Sequence, residues 1–334
     1  MNLSLIRDFF TTVDEEWNSV IASQIASRWF SEPSSVKIMR ASANFVALVT
    51  ADDAHYTLRF NSEFLRPIET LQQEIRLLLS LRNLQIPVQI PVKSLDDNYV
   101  ELIPTELGRF TAVLFRYIEG EIKEFDDLSD SDFLKWGRSL GILHQTLVDN
   151  QLARRFNLRT MVEQLKSCQP DSDLGSQEQS ALLDWITELK ISSETYGIIH
   201  YDFELDNIIW DNDSPNIIDF DDSAISWYIA DLGFAMEEFF NQGGQSSDSK
   251  FHSFLNGYRG EKSIPESELK QLPGFLRLKN FLTYNELQRA VDLEKSGDHP
   301  DWLNQLITKL NEKRKELHQS FSDNPVKPLV LSDF

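Results

Sequence analysis

The sequence is poor in cysteine, in positive charge and in histidine, and each shortage removes a class of function. A single cysteine, Cys168, excludes an intramolecular disulfide and any cysteine cluster for zinc or an iron–sulfur centre. Against 53 Asp and Glu stand only 32 Lys and Arg, a formal net charge of −21. Sequence-independent binding to nucleic acid or to an anionic membrane needs a dense basic surface, so neither partner is expected. The charge is compatible with a cationic small substrate, but the reading it favours is simply a soluble acidic cytoplasmic protein. No apolar run approaches the roughly 20 residues of a membrane span. The opening "MNLSLIRDFFTTVDEEW" has neither a secretory h-region nor the acid-poor character of a transit peptide, so the expected location is cytoplasmic. Of the 6 histidines, His55, His144, His252, His299 and His318 sit in strand, amphipathic-helix or polar surface contexts and read as structural or solvated.

What the chain does have is length and apolar content. Its 334 residues, 41% hydrophobic, exceed the size at which one core keeps growing, so two lobes are expected. Residues 3–30 read as helical, with Leu5, Phe9, Val13, Trp17 and Ile21 at helical spacing. "NFVALVTADDAHYTLRF" (44–60) reads as a hairpin turning at Asp52-Asp53, and 68–84 as a helix with Leu71, Ile75, Leu78 and Leu81 on one face. "FTAVLFRYIEG" (110–120) reads as a buried strand ending at Gly120. Beyond residue 121 the pattern is helical at 130–147, 158–168 and 176–190, and again from "ADLGFAMEEFF" through 275–295 and 300–321. "CQPDSDLGSQ", "NQGGQSSDSK" and "GEKSIPESE" read as loops. The fold class expected is α+β, with a small β-rich lobe (1–115), a short connector (116–120) and a large mainly helical lobe (121–334).

One stretch interrupts the helices: "IIHYDFELDNIIWDNDSPNIIDFDD" (198–222). Three short apolar runs alternate with acids, and His200, Asp202 and Asn207 follow the pattern H-x-D-x-x-x-x-N, with Asp219-Phe220-Asp221 at the end of a later strand. Phosphoryl transfer needs such a set: an Asp for the acceptor's proton, an Asn five residues on to hold a metal, and a strand-end Asp for Mg²⁺ across the phosphates. "DNDSP" (211–215) turns the chain back and brings Asp219 beside Asn207. Turn capping by short polar side chains accounts for Asp211, Asn212 and Asp213, but not for the set Asp202, Asn207 and Asp219.

On these residues the chain resembles the aminoglycoside phosphotransferase and choline kinase-like family, the small-molecule branch of the protein kinase fold. The family's loop reads H-G-D-x-H-x-x-N, and here Tyr201 and Glu204 depart from it. The resemblance implies a bilobal protein kinase-like fold, with 1–115 as the nucleotide-binding N-lobe, 116–120 as hinge and 121–334 as C-lobe. It implies that Arg59 in "HYTLRF" contacts the ATP phosphates and that Glu74 pairs with it. Arg116 and Ile118 in "LFRYIEG" would meet adenine through their backbones, and Asp231 in "WYIADLGFAM" would brace the catalytic loop. The turn "RASANF" (40–45) lacks the glycine-rich loop of protein kinases; Ser42 and Asn44 are phosphate or turn contacts there. The tail is reminiscent of the homoserine kinase-like branch.

The expected activity is transfer of the γ-phosphoryl of ATP, with GTP as the alternative donor, to a hydroxyl of a small molecule such as an amino alcohol, an aminoglycoside or homoserine. Asp202 and His200 are the catalytic candidates, and Asn207 and Asp219 the Mg²⁺ ligands. A protein Ser/Thr kinase of the same family and an inactive nucleotide-binding regulator stay open as alternatives. A metal-dependent hydrolase would need further His or Asp at recognisable spacing, and none is found.

Overall fold

The computed structural model describes residues 2–245, 247–293 and 299–323. Its contacts divide the chain into two units, Met1–Ile118 with Gln288–Asn311, and Glu119–Leu287 with Glu312–Phe334. Among the described residues, no helix is long and apolar enough to cross a membrane.

The first unit is built on an antiparallel sheet. It opens with α1 (Leu3–Phe10) and α2 (Val20–Ala26), followed by β1 (Ser35–Ala41), β2 (Phe45–Ala51) and β3 (Ala54–Ser62). Helix α3 (Ile68–Asn83) precedes β4 (Pro91–Val92), β5 (Val100–Thr105) and β6 (Gly108–Arg116). The strand order is β1-β2-β3-β6-β4, with β5 also on β6. The expected hairpin forms, pairing Phe45 with Phe60 through to Ala51 with Ala54. Asp52 and Asp53 take φ of 50° and 57°, the left-handed pair that matches strand twist and that Asp tolerates. Alternate residues Phe45, Ala47 and Val49 face a core shared with Phe9, Ile25 and Phe110. On α3 the four expected apolar positions are all buried.

Four readings change here. The stretch 3–30 is two helices, because the Asp14 carboxylate accepts the backbone N–H of Glu16 and Asn18 at 2.9 Å and turns the chain. Trp17 sits in that turn with φ of 67°, and Ser19 caps the second helix through Ala22 N. Strand β6 ends at Arg116 rather than Gly120. Strands β1 and β5 were not expected at all. Finally, residues of 288–311 belong to the first unit: Leu303 and Ile307 pack with Leu3 and Ile6, and Asp292 accepts from Ser4 N at 3.0 Å.

The second unit is mainly helical. In order it contains α4 (Asp130–Asp149), α5 (Met161–Ser167), α6 (Asp173–Glu188), β7 (Tyr196–Ile199), β8 (Ile208–Asp211), β9 (Ser214–Ile217) and β10 (Ala224–Trp227). There follow α7 (Tyr228–Ala235), α8 (Glu237–Asn241), α9 (Ser249–Arg259), α10 (Glu266–Leu269), α11 (Leu272–Ala290) as far as Leu287 and α12 (Asp301–Asp323) from Glu312, the rest of these two helices counting with the first unit. Ser172 caps α6, so half of the expected loop 168–177 is helix, and α10 begins within the stretch read as the loop "GEKSIPESE" and ends one residue past it. The helical reading of 275–295 holds to Ala290, and its last residues lie outside those described.

Helices α4 and α9 pack at backbone distance. A Cβ on Gly137 would strike the Phe254 carbonyl, and one on Gly257 would strike that of Leu134. Gly137→Ala is therefore expected to destabilise by about 1–3 kcal/mol through overpacking, despite the better helix propensity of Ala. Urea unfolding of the two proteins measures this, and a more stable Ala variant would show that the helices part freely.

Candidate active site

Strand β7 delivers His200, Tyr201 and Asp202 into a loop, a single 3₁₀ turn (Leu205–Asn207) closes it, and β8 leaves. The Asn207 carboxamide reaches back: its Nδ2 donates to the Asp202 carbonyl at 2.9 Å and to Asp202 Oδ2 at 2.8 Å. Asn212 and Asp213, with φ of 44° and 69°, turn β8 into β9, as the polar cluster implied. The returning chain donates Ile218 N–H to the Asn207 carbonyl at 3.0 Å, which puts Asp219 next in line with φ of 63°. Asp202, Asn207 and Asp219, nominated from the sequence, are thus gathered on one loop pair. Asn207 is buried, whereas the Asp202 side chain keeps 39% exposure and can meet a ligand.

His200 is placed to support this loop. It is buried, its Nε2–H donates to Ile218 O at 2.9 Å, and its ring packs on Phe220. Beneath it lies Asp231 on α7, fully buried. Its Oδ2 accepts from His200 N at 2.7 Å and His144 Nε2 at 2.9 Å, and its Oδ1 accepts from Tyr201 N at 2.7 Å. Tyr258 O–H donates in turn to His144 Nδ1 at 2.9 Å. Burial lowers the pKa of both imidazoles against the opposite pull of Asp231, so both are held neutral.

The sign of the resulting pH dependence follows. A histidine with folded pKa below its ordinary 6.5 lets the unfolded chain take up protons first, so its contribution is complete above that value and is lost as pH falls. Glu204 acts the other way: burial, then the charge of Asp202, raises it from 4.5 to about 7, so its contribution grows as pH falls over that window. Two imidazoles against one carboxyl predict falling stability from pH 7 to pH 5. Glu204→Gln should steepen the fall by up to about 1.4 kcal/mol per pH unit. Urea unfolding at several pH values measures both slopes.

Residues to which the sequence gave no catalytic or binding role complete the site. Tyr201 has φ of 77°, a conformation that favours glycine. Its ring and that of Phe234 lie 4.4 and 5.2 Å from the Lys279 ammonium, which stands 3.8 Å from Asp202 Oδ1. Burial disfavours that charge, but Asp202, Glu204, Glu237 and Glu286 outweigh it, and the pKa of Lys279 is raised. Glu204, Glu237 and Glu238 also line a cavity of about 360 Å³ with Phe125 and Trp136, whose buried indole N–H has no hydrogen-bond partner among the described residues. The only sequence signal for Lys279 is a charge set on the stripe of buried Phe275, Leu278 and Leu282.

In the first unit, Arg59 on β3 and Glu74 on α3 are both buried and form an ion pair, with Arg59 over the Phe115 ring at 5.4 Å. Asn44 is a turn contact, its Oδ1 accepting from Asn61 at 3.0 Å, and Ser42 Oγ accepts from Arg40 at 2.8 Å. Arg116 N–H already donates to Ile90 O at 2.9 Å. Among the described residues, no group of three or more His, Cys, Asp or Glu is gathered to hold a metal. Asn207 and Asp219 nevertheless suit a hard cation that takes its remaining ligands from phosphate and water: with Nδ2 tied to Asp202, the Asn207 carboxamide oxygen remains as donor beside a carboxylate.

Known proteins resemble this chain over most of its length. The sequence is 23% identical over 292 residues to the amicoumacin kinase of Bacillus subtilis (strain 168), covering 83% of this chain and 87% of that protein. Among solved structures, amicoumacin kinase hAmiN in complex with AMP-PNP, Ca²⁺ and Ami superposes with a TM-score of 0.74 at 22% identity, covering 96% of this chain and 98% of that one. A microcompartment-associated aminopropanol kinase gives 0.67 at 20% identity, covering 93% and 100%. The choline kinase LicA from Streptococcus pneumoniae gives 0.57 at 16%, covering 89% and 98%. These likenesses show the kinase-like α+β fold. The sequence model of the phosphotransferase enzyme family (APH) matches residues 37–262, more than half of the chain, and the protein belongs to that family.

Proposed function

We propose that the protein transfers the γ-phosphoryl group of ATP to a hydroxyl of a small molecule that also carries a cationic amino group. The observation that carries this reading is the Asp202–Asn207 pair, with Asp219 brought alongside by β9. The acceptor oxygen bonds to the γ-phosphorus as its proton passes to Asp202 and the bond to ADP breaks. Asn207 and Asp219 would hold Mg²⁺, which supplies positive charge to the phosphate oxygens. By the family resemblance, the first unit binds the nucleotide. Arg59, fixed by Glu74, steadies the phosphates, Ser42 and Asn44 belong to the phosphate turn, and Ile118 with the Arg116 carbonyl serves adenine, residues 116–120 forming the hinge. His200 supports the loop rather than carrying a proton, since Ile218 O occupies its Nε2–H.

The cavity beside Glu204 supports a cationic acceptor, because Glu237, Glu238 and two aromatic rings supply what an ammonium group prefers. Aminopropanol and choline, the acceptors named for two of the similar structures, have that chemistry. The test is thermal unfolding with ATP or GTP, with and without Mg²⁺, crossed with amino alcohols, choline, homoserine and aminoglycosides. ATP with Mg²⁺ at a hundredfold excess over its Kd should stabilise by about 2.7 kcal/mol, and one cationic acceptor should add to it and be turned over. No shift with any nucleotide would overturn the reading. Nucleotide shifts without turnover of any acceptor would favour a non-catalytic regulator.

A further inference from the structure

Lys279 is 8% exposed, and burying an ammonium is unfavourable unless opposite charge and polarisable partners replace its water. The catalytic loop and the helices around it supply them. Asp202 Oδ1 stands 3.8 Å from the ammonium, the charges of Glu204, Glu237 and Glu286 favour it further, and the rings of Tyr201 and Phe234 lie against it, packed edge-to-face on each other at 5.5 Å. Tyr201 occupies the glycine position of the resembling family, and it keeps the left-handed backbone there at a strain a glycine would not have. A strained residue with a buried ring, one position before Asp202, has Lys279 as the charge it shelters.

The consequence lies on the carboxylate. Asp202 Oδ2 accepts from Asn207 at 2.8 Å, and Oδ1 faces the Lys279 ammonium at 3.8 Å. We propose that Lys279 is a positioning residue for phosphoryl transfer: caged by Tyr201 and Phe234, it holds Oδ1 while Asn207 holds Oδ2, and so keeps the half-exposed carboxylate in the one rotamer that meets the acceptor hydroxyl. The inference rests on the reading of Asp202 as the group that takes the acceptor's proton. Lys279 itself takes no part in the bond changes. A misplacement of about 1 Å at a reacting group lowers rate by about 10²-fold, which sets the size of the effect.

The test compares wild type with Lys279→Met, Lys279→Gln, Asp202→Asn and the double variant Asp202→Asn/Lys279→Met, using whichever acceptor is turned over. Lys279→Met should lower kcat by about 10²-fold with both KM values within about threefold, and Lys279→Gln, whose uncharged amide ends one bond short of the ammonium's place, should lose about as much. The double variant should be no slower than Asp202→Asn. Crystal structures of wild type and Lys279→Met give a readout independent of any acceptor: the Asp202 carboxylate should leave its contact with Asn207 or split between rotamers. If the Met variant does not fold, the Gln variant carries both readouts. An unchanged Asp202 rotamer, a kcat within twofold of wild type, or a double variant slower than Asp202→Asn by the full single-variant factor would overturn the inference. Unimpaired Asp202→Asn would instead remove the base assignment, whatever Lys279 does.

Discussion

Asp202→Asn is expected to lower kcat by about 10²–10⁴-fold, the range spanned by general-base catalysis, while ATP affinity stays within a few-fold of wild type. The substitution keeps the volume and one acceptor oxygen, so the bond from Asn207 Nδ2 survives. What it removes is the capacity to take a proton. The groups proposed for the phosphates and the metal, Arg59, Asn207 and Asp219, are untouched, so binding and chemistry should separate. Steady-state release of ADP and titration calorimetry with ATP and Mg²⁺ measure the two quantities on the same sample. A variant within tenfold of wild type would leave Asp202 with no part in proton transfer, and the family's phosphoryl chemistry would then rest on positioning and charge alone.

Asp231→Ala is expected to be the most destabilising substitution in the second unit, at about 3–5 kcal/mol, with kcat falling alongside. Asp231 is fully buried and accepts from two successive backbone N–H groups, of His200 and Tyr201, and from His144. Truncation strands all three donors in the interior, and an unsatisfied buried group costs the whole of its lost hydration. It also releases the backbone immediately before Asp202. Asp231→Asn, which keeps one acceptor oxygen but not the charge, should lose less stability. Urea unfolding monitored by tryptophan fluorescence gives the free energies. Losses below about 1 kcal/mol for the Ala variant would mean that water reaches these donors.

The legible and illegible parts of the chain divide on physical grounds. The hairpin at Asp52-Asp53 and helix α3 were legible because their apolar periods are set locally, by a face that must be buried and a turn that needs left-handed residues. The run 3–30 misled because helical spacing of Leu5, Phe9, Val13 and Trp17 says nothing of Asp14, whose side chain outcompetes the helix for its own backbone N–H groups. Strands β1, β5 and β10 were passed over: each is four to seven residues long, too short for a clear apolar period; β1 and β5 pair with the next strand, β2 and β6, and only β10 pairs well back along the chain, with β7. The placement of Leu303 and Ile307 with Leu3 and Ile6 is illegible for another reason, since an amphipathic helix declares that it has an apolar face and not what covers it.

By itself the sequence determined the core of the candidate site. The order and spacing of His200, Asp202, Asn207 and Asp219 are properties of one continuous loop and hairpin, and local geometry is enough to bring such residues together. What surrounds that loop was legible only in part: the family resemblance named Asp231, 29 positions beyond Asp202 by residue number, as its brace, whereas tertiary structure alone brought in Lys279, 77 positions beyond. Their contacts with it depend on how α7 and α11 pack, and therefore on the whole core beneath them. A buried charge looks in sequence like any other lysine or aspartate; only the fold shows that the water it gave up has been replaced by carboxylates, rings and backbone N–H groups.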